Sequence, residues 1–148
     1  MLFLDQMVKN LEGTVTAGSP HELFLAARAA MEKCYAPYSR FPVGAALRTQ
    51  DGRVFAGGNI ENASFPEGWC AETTALAHYV MAGGGPIAEI AVVAEKMARI
   101  TPCGGCRQRL AEFAGPDAKL YLCDETGVVE TLTMREILPL GFRGDTLK

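Results

Sequence analysis

Two short stretches hold side chains able to do chemistry together. The first is Trp69-Cys70-Ala71-Glu72-Thr73-Thr74, with a thiol and a carboxylate two residues apart at an expected helix start. The second is Pro102-Cys103-Gly104-Gly105-Cys106, which begins its cysteine pair 33 positions after Cys70. At a helix start, positions i and i+3 lie on one side, so Cys103 and Cys106 can share a tetrahedral metal. Backbone N–H groups and the helix dipole favour thiolates there, and Cys70 has the same setting. Three thiolates leave a fourth zinc position open, the feature that separates a catalytic zinc from a structural one. Glu72 is turned about 200° from Cys70 around a helix. That discourages ligation of the same ion and leaves its carboxylate facing the cleft, where it can move protons to and from a metal-activated water.

Each half alone has plainer readings. Cys-x-x-Cys is also a redox dithiol or half of a structural zinc site, and Cys-Ala-Glu is also an ordinary helix start. Their combination selects the catalytic zinc. A structural site would need a fourth ligand from Cys34, Cys123 or a histidine. Cys34 falls on an apolar helix face and Cys123 ends an apolar strand, so both read as core. His21 sits at an exposed helix start, and His78 reads as a histidine packed within its helix.

The elements that position these residues follow from local pattern. Residues 1–18 read as an N-terminal extension, and 19–148 as a single domain. Ser19-Pro20-His21-Glu22 is a helix start with a cap, a proline at the first turn and a capping-box glutamate. Leu23, Ala26, Ala27, Ala30 and Cys34 form one face of that helix, which is expected to stop near Pro37. Segments 43–49 and 54–58 flank an Asp51-Gly52 turn and read as a hairpin. A polar loop, 59–68, leads to a helix over 70–82 closed by three glycines. A buried strand is expected over 87–94, then a loop, then a second helix from Cys103 to Ala114 ending at Gly115-Pro116. Strands over 120–123 and 128–132 and a short helix over 133–137 close the chain. The order α-β-β-α-β-α-β-β-α, without internal repeat, suggests a mixed sheet packed between helices, an α/β fold.

Bulk composition limits the partners. The chain has 148 residues, 49% hydrophobic and 21% charged, which suits one soluble domain. A net charge of −3 argues against a polynucleotide partner. No apolar run is long enough to cross a membrane, and the N-terminus lacks the pattern of a signal peptide. Five cysteines, an odd number, fit metal binding better than a disulfide framework. The expected location is the cytoplasm.

Cys70-Ala71-Glu72 together with Pro102-Cys103-Gly104-Gly105-Cys106-Arg107-Gln108 resembles the zinc-dependent cytidine deaminase family. The likeness extends to the stretch from Tyr35 to Leu47, to Asn59-Ile60-Glu61-Asn62-Ala63, and to Glu136-Ile137-Leu138-Pro139. It runs from about residue 20 to 145, and the all-cysteine ligand set resembles the small homotetrameric branch. The resemblance implies a three-layer α-β-α sandwich around a five-stranded mixed sheet. It implies one zinc per chain on Cys70, Cys103 and Cys106, with Glu72 as proton shuttle. Phe41 would stack on the pyrimidine, the Ala71 backbone would meet the base carbonyl, and Asn59 and Glu61 would bind ribose hydroxyls. Phe65 and Phe142 match aromatic positions that reach a neighbouring subunit's site, so the active sites would lie near subunit interfaces. The implied reaction is hydrolytic deamination of cytidine and 2′-deoxycytidine in pyrimidine salvage. A modified cytosine nucleoside such as blasticidin S is the alternative substrate. A thiol redox module or a non-catalytic zinc protein is the alternative class.

Thr73 departs from this pattern, because many three-cysteine members carry arginine there. Zinc with three thiolates is left with one net negative charge, which opposes ionising a bound water. An arginine offsets that by donating to ligand sulfurs, whereas Thr73 offers a neutral hydroxyl. The two helix N-termini can supply part of the missing positive potential, and Arg107, beside Cys106, can supply more if it folds back; Arg107 and Arg109 read equally well as solvent-facing helix charges. A zinc-water pKa above that of arginine-bearing relatives is the corresponding expectation.

Overall fold

A computed structural model describes residues 18–147. The extension expected over 1–18 therefore lies, except for Gly18, outside the described residues. Helix α1 spans Pro20–Met31. Its cap is as expected, with Ser19 Oγ accepting from the Glu22 amide at 3.1 Å. The Glu22 carboxylate accepts from Gly18 N rather than from Ser19 N, so the cap reaches one residue further out.

The helix tapers earlier than Pro37. Lys33 N donates to Ala30 O and Cys34 N to Met31 O, the tighter bonding of a closing turn. Cys34 thus lies past the helix and is half-buried, not in the core. Phe24 and Met31 hold that face instead, with Leu23, Ala26 and Ala27.

Strands β1 (Val43–Thr49) and β2 (Val54–Gly58) pair antiparallel across the Asp51-Gly52 turn. Gly52 has φ 90°, a value that favours glycine. Helix α2 (Ala71–Met81) and strand β3 (Ile87–Ala94) follow, then helix α3 (Gly104–Phe113). Strand β4 (Ala114–Cys123) begins directly where α3 ends. Gly115-Pro116, expected to close the helix, instead lie inside a strand. Residues 115–118 bulge between the paired positions Ile87↔Ala114 and Glu89↔Lys119, and a bulge tolerates a proline without an N–H. Strand β5 (Val128–Thr133) and helix α4 (Met134–Ile137) end the fold. Thr133 and Glu136 form a reciprocal capping box on α4.

The five strands run in the order β2-β1-β3-β4-β5, with β3 and β4 parallel and the other pairs antiparallel. Alternation along the strands splits the core into two layers. Leu23, Phe24, Ala27, Ala46, Ala91, Val93 and Tyr121 form the α1 face. Ala45, Leu47, Ile90, Val92, Leu120 and Leu122 pack with Leu76, Leu110 and Met134 on the face of α2, α3 and α4. The expected α-β-α sandwich around a five-stranded mixed sheet is therefore the observed fold.

Two glycines set how closely the helices approach. A Cβ at Gly44 would stand 2.0 Å from Ala27 O of α1, and one at Gly57 would stand 2.6 Å from Ala75 N of α2. The second contact seats the helix that carries Glu72 against β2.

On the α1 side, the Arg48 guanidinium is 7% exposed and pairs with Glu89. It also donates to Gly18 O at 2.7 Å and Ser19 O at 3.0 Å. The Tyr121 hydroxyl donates to the other Glu89 oxygen at 2.6 Å. Breaking a buried pair leaves one charge uncompensated, so Arg48→Ala is expected to destabilise the domain by about 3 kcal/mol in chemical denaturation.

Candidate active site

The strand register places the site at one end of the sheet. Gly44 pairs with Gly58 and Val43 with Ala94, so the loops before β1, after β2 and after β3 emerge together. Those three loops carry Phe41, Asn59-Glu61 and Cys103.

The loop after β2 is fixed by backbone bonds. Tyr35 N donates to Asn59 O and Glu61 N to Tyr35 O, while Ile60 and Trp69 exchange two bonds of 2.9 and 2.8 Å. Cys70 follows immediately as the N-cap of α2, and Cys103 is the N-cap of α3. Neither thiol caps its own helix. Both stay free to face each other across first-turn N–H groups.

The three sulfurs of Cys70, Cys103 and Cys106 lie within 4.8 Å of one another. Cys70 Sγ and Cys103 Sγ are 3.9 Å apart. A tetrahedral zinc with Zn–S bonds near 2.3 Å separates its sulfurs by about 3.8 Å, so the donor set fits zinc in spacing and in kind. In the protein alone the cluster shares protons. A hydrogen bond from Cys106 pulls the Cys70 thiol down to about 6, and the same bond, with burial, pushes Cys106 up. Binding of a cation by all three sulfurs releases the thiol protons that the cluster still holds.

Glu72 is 5% exposed. Burial raises its carboxyl above the ordinary range, and the negative charge of Cys70 adds to that, against lowering contributions from its own backbone N–H and from Cys106. Helix α2 buries Ala71, Glu72, Ala75, Leu76 and Tyr79, so Glu72 lies on the inward side, beside the sulfurs. His78 falls between those positions and is exposed, contrary to the packed histidine expected from sequence.

Phe41 is half-buried at the mouth of β1. Asn59 braces the backbone from Phe41 to Val43, accepting from Val43 N at 2.9 Å and donating to Phe41 O at 2.9 Å. Glu61 Oε1 accepts from Tyr38 N at 2.9 Å and Ser39 N at 3.0 Å, and bonds from Ser39 hold its carboxyl below the usual range. Arg40, between them, has φ 54°, an uncommon value for a residue other than glycine.

Residues 19–122 match the model of the cytidine and deoxycytidylate deaminase zinc-binding region. This chain belongs to the cytidine deaminase family. A cytidine deaminase of Halalkalibacterium halodurans is 45% identical over 118 residues, covering 80% of this chain and 89% of that protein. One from Sporosarcina psychrophila is 40% identical, covering 85% and 93%. The crystal structure of cytidine deaminase from Burkholderia pseudomallei superposes with a TM-score of 0.79 at 48% identity, over 84% of this chain and 99% of that one. The zinc-binding region of the family thus includes the Cys70, Cys103 and Cys106 cluster.

Within this cytidine deaminase fold the arginines divide differently from the sequence expectation. Arg107 does not turn to a sulfur. Its guanidinium donates to Pro102 O at 2.8 Å and to Ile137 O at 3.0 Å. Ile137 O is an orphan carbonyl at the end of α4 and Pro102 O lies in the loop before α3, so a fork of N–H donors can satisfy both. Gln108 donates to Phe142 O at 2.9 Å, so the two side chains tie α3 to the C-terminal segment. Arg109 is the arginine that meets a ligand, with Nη1 3.8 Å from Cys106 Sγ. Thr73 Oγ1 lies 4.0 Å from the same sulfur. The signal for Arg109 was available in its i+3 spacing from Cys106. Phe65 and Phe142 are 74% and 65% exposed, and Phe65 leans on the Tyr38 ring at 5.9 Å.

Proposed function

We propose that the protein hydrolyses cytidine and 2′-deoxycytidine to uridine and 2′-deoxyuridine with release of ammonia, a pyrimidine salvage reaction in the cytoplasm. The observation that carries this reading is a buried carboxylate, Glu72, beside an open triangle of three sulfurs. Zinc held there supplies what it supplies in zinc deaminases generally, an electrophilic centre that activates water for attack on C4.

The protein's own groups do the rest. Glu72 takes one proton from the attacking water and delivers it to ring N3, then takes a second from the hydroxyl formed on C4 and delivers it to the amino group, which departs as ammonia as the C4 carbonyl forms. Burial suits it to this task, because a carboxyl whose pKa is raised holds a proton more readily than an exposed one. Phe41 offers an apolar face to the pyrimidine, held at a fixed height by the two Asn59 bonds. The backbone of Ala71, at the first turn of α2, meets the base carbonyl in this reading. Asn59 retains a second amide hydrogen and Glu61 a second carboxylate oxygen for the ribose hydroxyls.

The exposed rings of Phe65 and Phe142 support a homotetramer in which each reaches a neighbour's site. Tyr35, Tyr38, Ile60 and Trp69 are exposed as well, and Tyr38 lies against Phe65; exposed apolar side chains that cluster mark interaction surfaces. Five free cysteines fit a reducing compartment, and among the described residues no helix is long and apolar enough to cross a membrane.

A panel of cytidine, 2′-deoxycytidine, blasticidin S and free cytosine, each followed by ammonia release, tests the assignment. Turnover of the two ordinary nucleosides with little turnover of free cytosine is expected. Preferential turnover of blasticidin S would overturn it.

A further inference from the structure

We infer that Arg109 is the cation that balances the charge of the zinc–thiolate site in this chain, through the sulfur of Cys106. The inference rests on the zinc reading above. Three thiolates outweigh a divalent ion by one charge, and a nearby cation favours the fully deprotonated, ion-holding state. Thr73, which starts α2 beside Cys106, has no charge to give. Arg107 spends its guanidinium on the carbonyls of Pro102 and Ile137.

Arg109 remains, and the fold makes room for it. Its Nη1 lies 3.8 Å from Cys106 Sγ. Its guanidinium also lies against Gly105, where a Cβ would stand 3.3 Å from Nη1 and 3.8 Å from the guanidinium carbon. Glycine at 105 thus lets the guanidinium lie along the first turn of α3, on the side that carries the ligand sulfur. Cys106 is the fully buried ligand, shielded from water, so it is where a cation has most effect. Arg109 acts through Cys106 and is a positioning residue.

Zinc affinity measured by competition with a chromophoric chelator tests this on the purified full chain. Arg109→Ala is expected to weaken zinc binding about 10-fold, the lower end for a residue that contacts a ligand rather than the ion. Arg109→Lys should keep part of the affinity. Thr73→Arg placed on Arg109→Ala should restore most of it, because the new guanidinium starts beside the same sulfur. Unchanged zinc affinity in Arg109→Ala would overturn the inference. So would a loss that neither Arg109→Lys nor Thr73→Arg repairs, because it would then come from packing rather than charge. Failure of the wild type to hold zinc would instead overturn the zinc reading beneath it.

Discussion

Glu72→Gln is expected to lower kcat for cytidine by about 100- to 10,000-fold, the usual contribution of a positioned acid–base group, while zinc stays at one per chain. Glutamine keeps the shape and two polar atoms of the side chain but cannot exchange a proton. The fold should tolerate it well. Glu72 is buried with a carboxyl pushed toward the neutral form, so an uncharged amide removes a desolvated charge rather than a stabilising one. Loss of activity with intact zinc and intact stability separates proton transfer from ligation. Glu72→Gln protein that keeps full activity would show that the buried carboxylate is not the shuttle.

Cys106→Ser is expected to act on the metal itself. Cys106 is fully buried and its sulfur completes the triangle with Cys70 and Cys103. A serine hydroxyl does not ionise near neutral pH, so the site keeps two thiolates. Structural zinc sites with four ligands are worth about 10–16 kcal/mol at pH 7, or roughly 3 kcal/mol per ligand, about 100-fold in affinity. Zinc should be lost on dialysis against a chelator that leaves the wild type loaded, and deamination should fall to background. Because a bound ion stabilises only the folded chain, the variant should also lose the rise in melting temperature that added zinc gives the wild type. Elemental analysis and thermal melts with and without zinc are the measurements.

Much of this was legible in the sequence because local chemistry carried it. The spacing of Cys70, Cys103 and Cys106 at two helix starts predicts the sulfur cluster, and the Asp51-Gly52 turn predicts the β1–β2 hairpin to the residue. What the sequence did not show depends on contacts between distant segments. Asn59 reads as a ribose ligand, yet its amide is also a brace for Phe41, a role that exists only because β2 ends beside the start of β1. In the sequence Arg107 is the more natural partner for a sulfur, because it adjoins a ligand in the chain. On the helix, Arg109 is the one that turns back over Cys106, while Arg107 is drawn to carbonyl groups contributed by Pro102 and Ile137. Gly115-Pro116 reads as a stop, and a bulge in β4 absorbs it within the strand. His78 reads as packed from its place in an apolar helix, but α2 turns it to the outer face.

The central claim is that three cysteines hold a zinc on which Glu72-assisted deamination of cytidine depends. Its most direct test is one sample carried through a metal cycle. Conversion of cytidine to uridine is followed in the ultraviolet by the zinc-loaded protein, by the same protein after chelation, and after zinc is returned. Turnover by the loaded protein, loss of that turnover with the metal and recovery with one zinc per chain is the predicted result. Zinc-loaded protein that leaves cytidine unchanged, or turnover that survives complete removal of the metal, would contradict it.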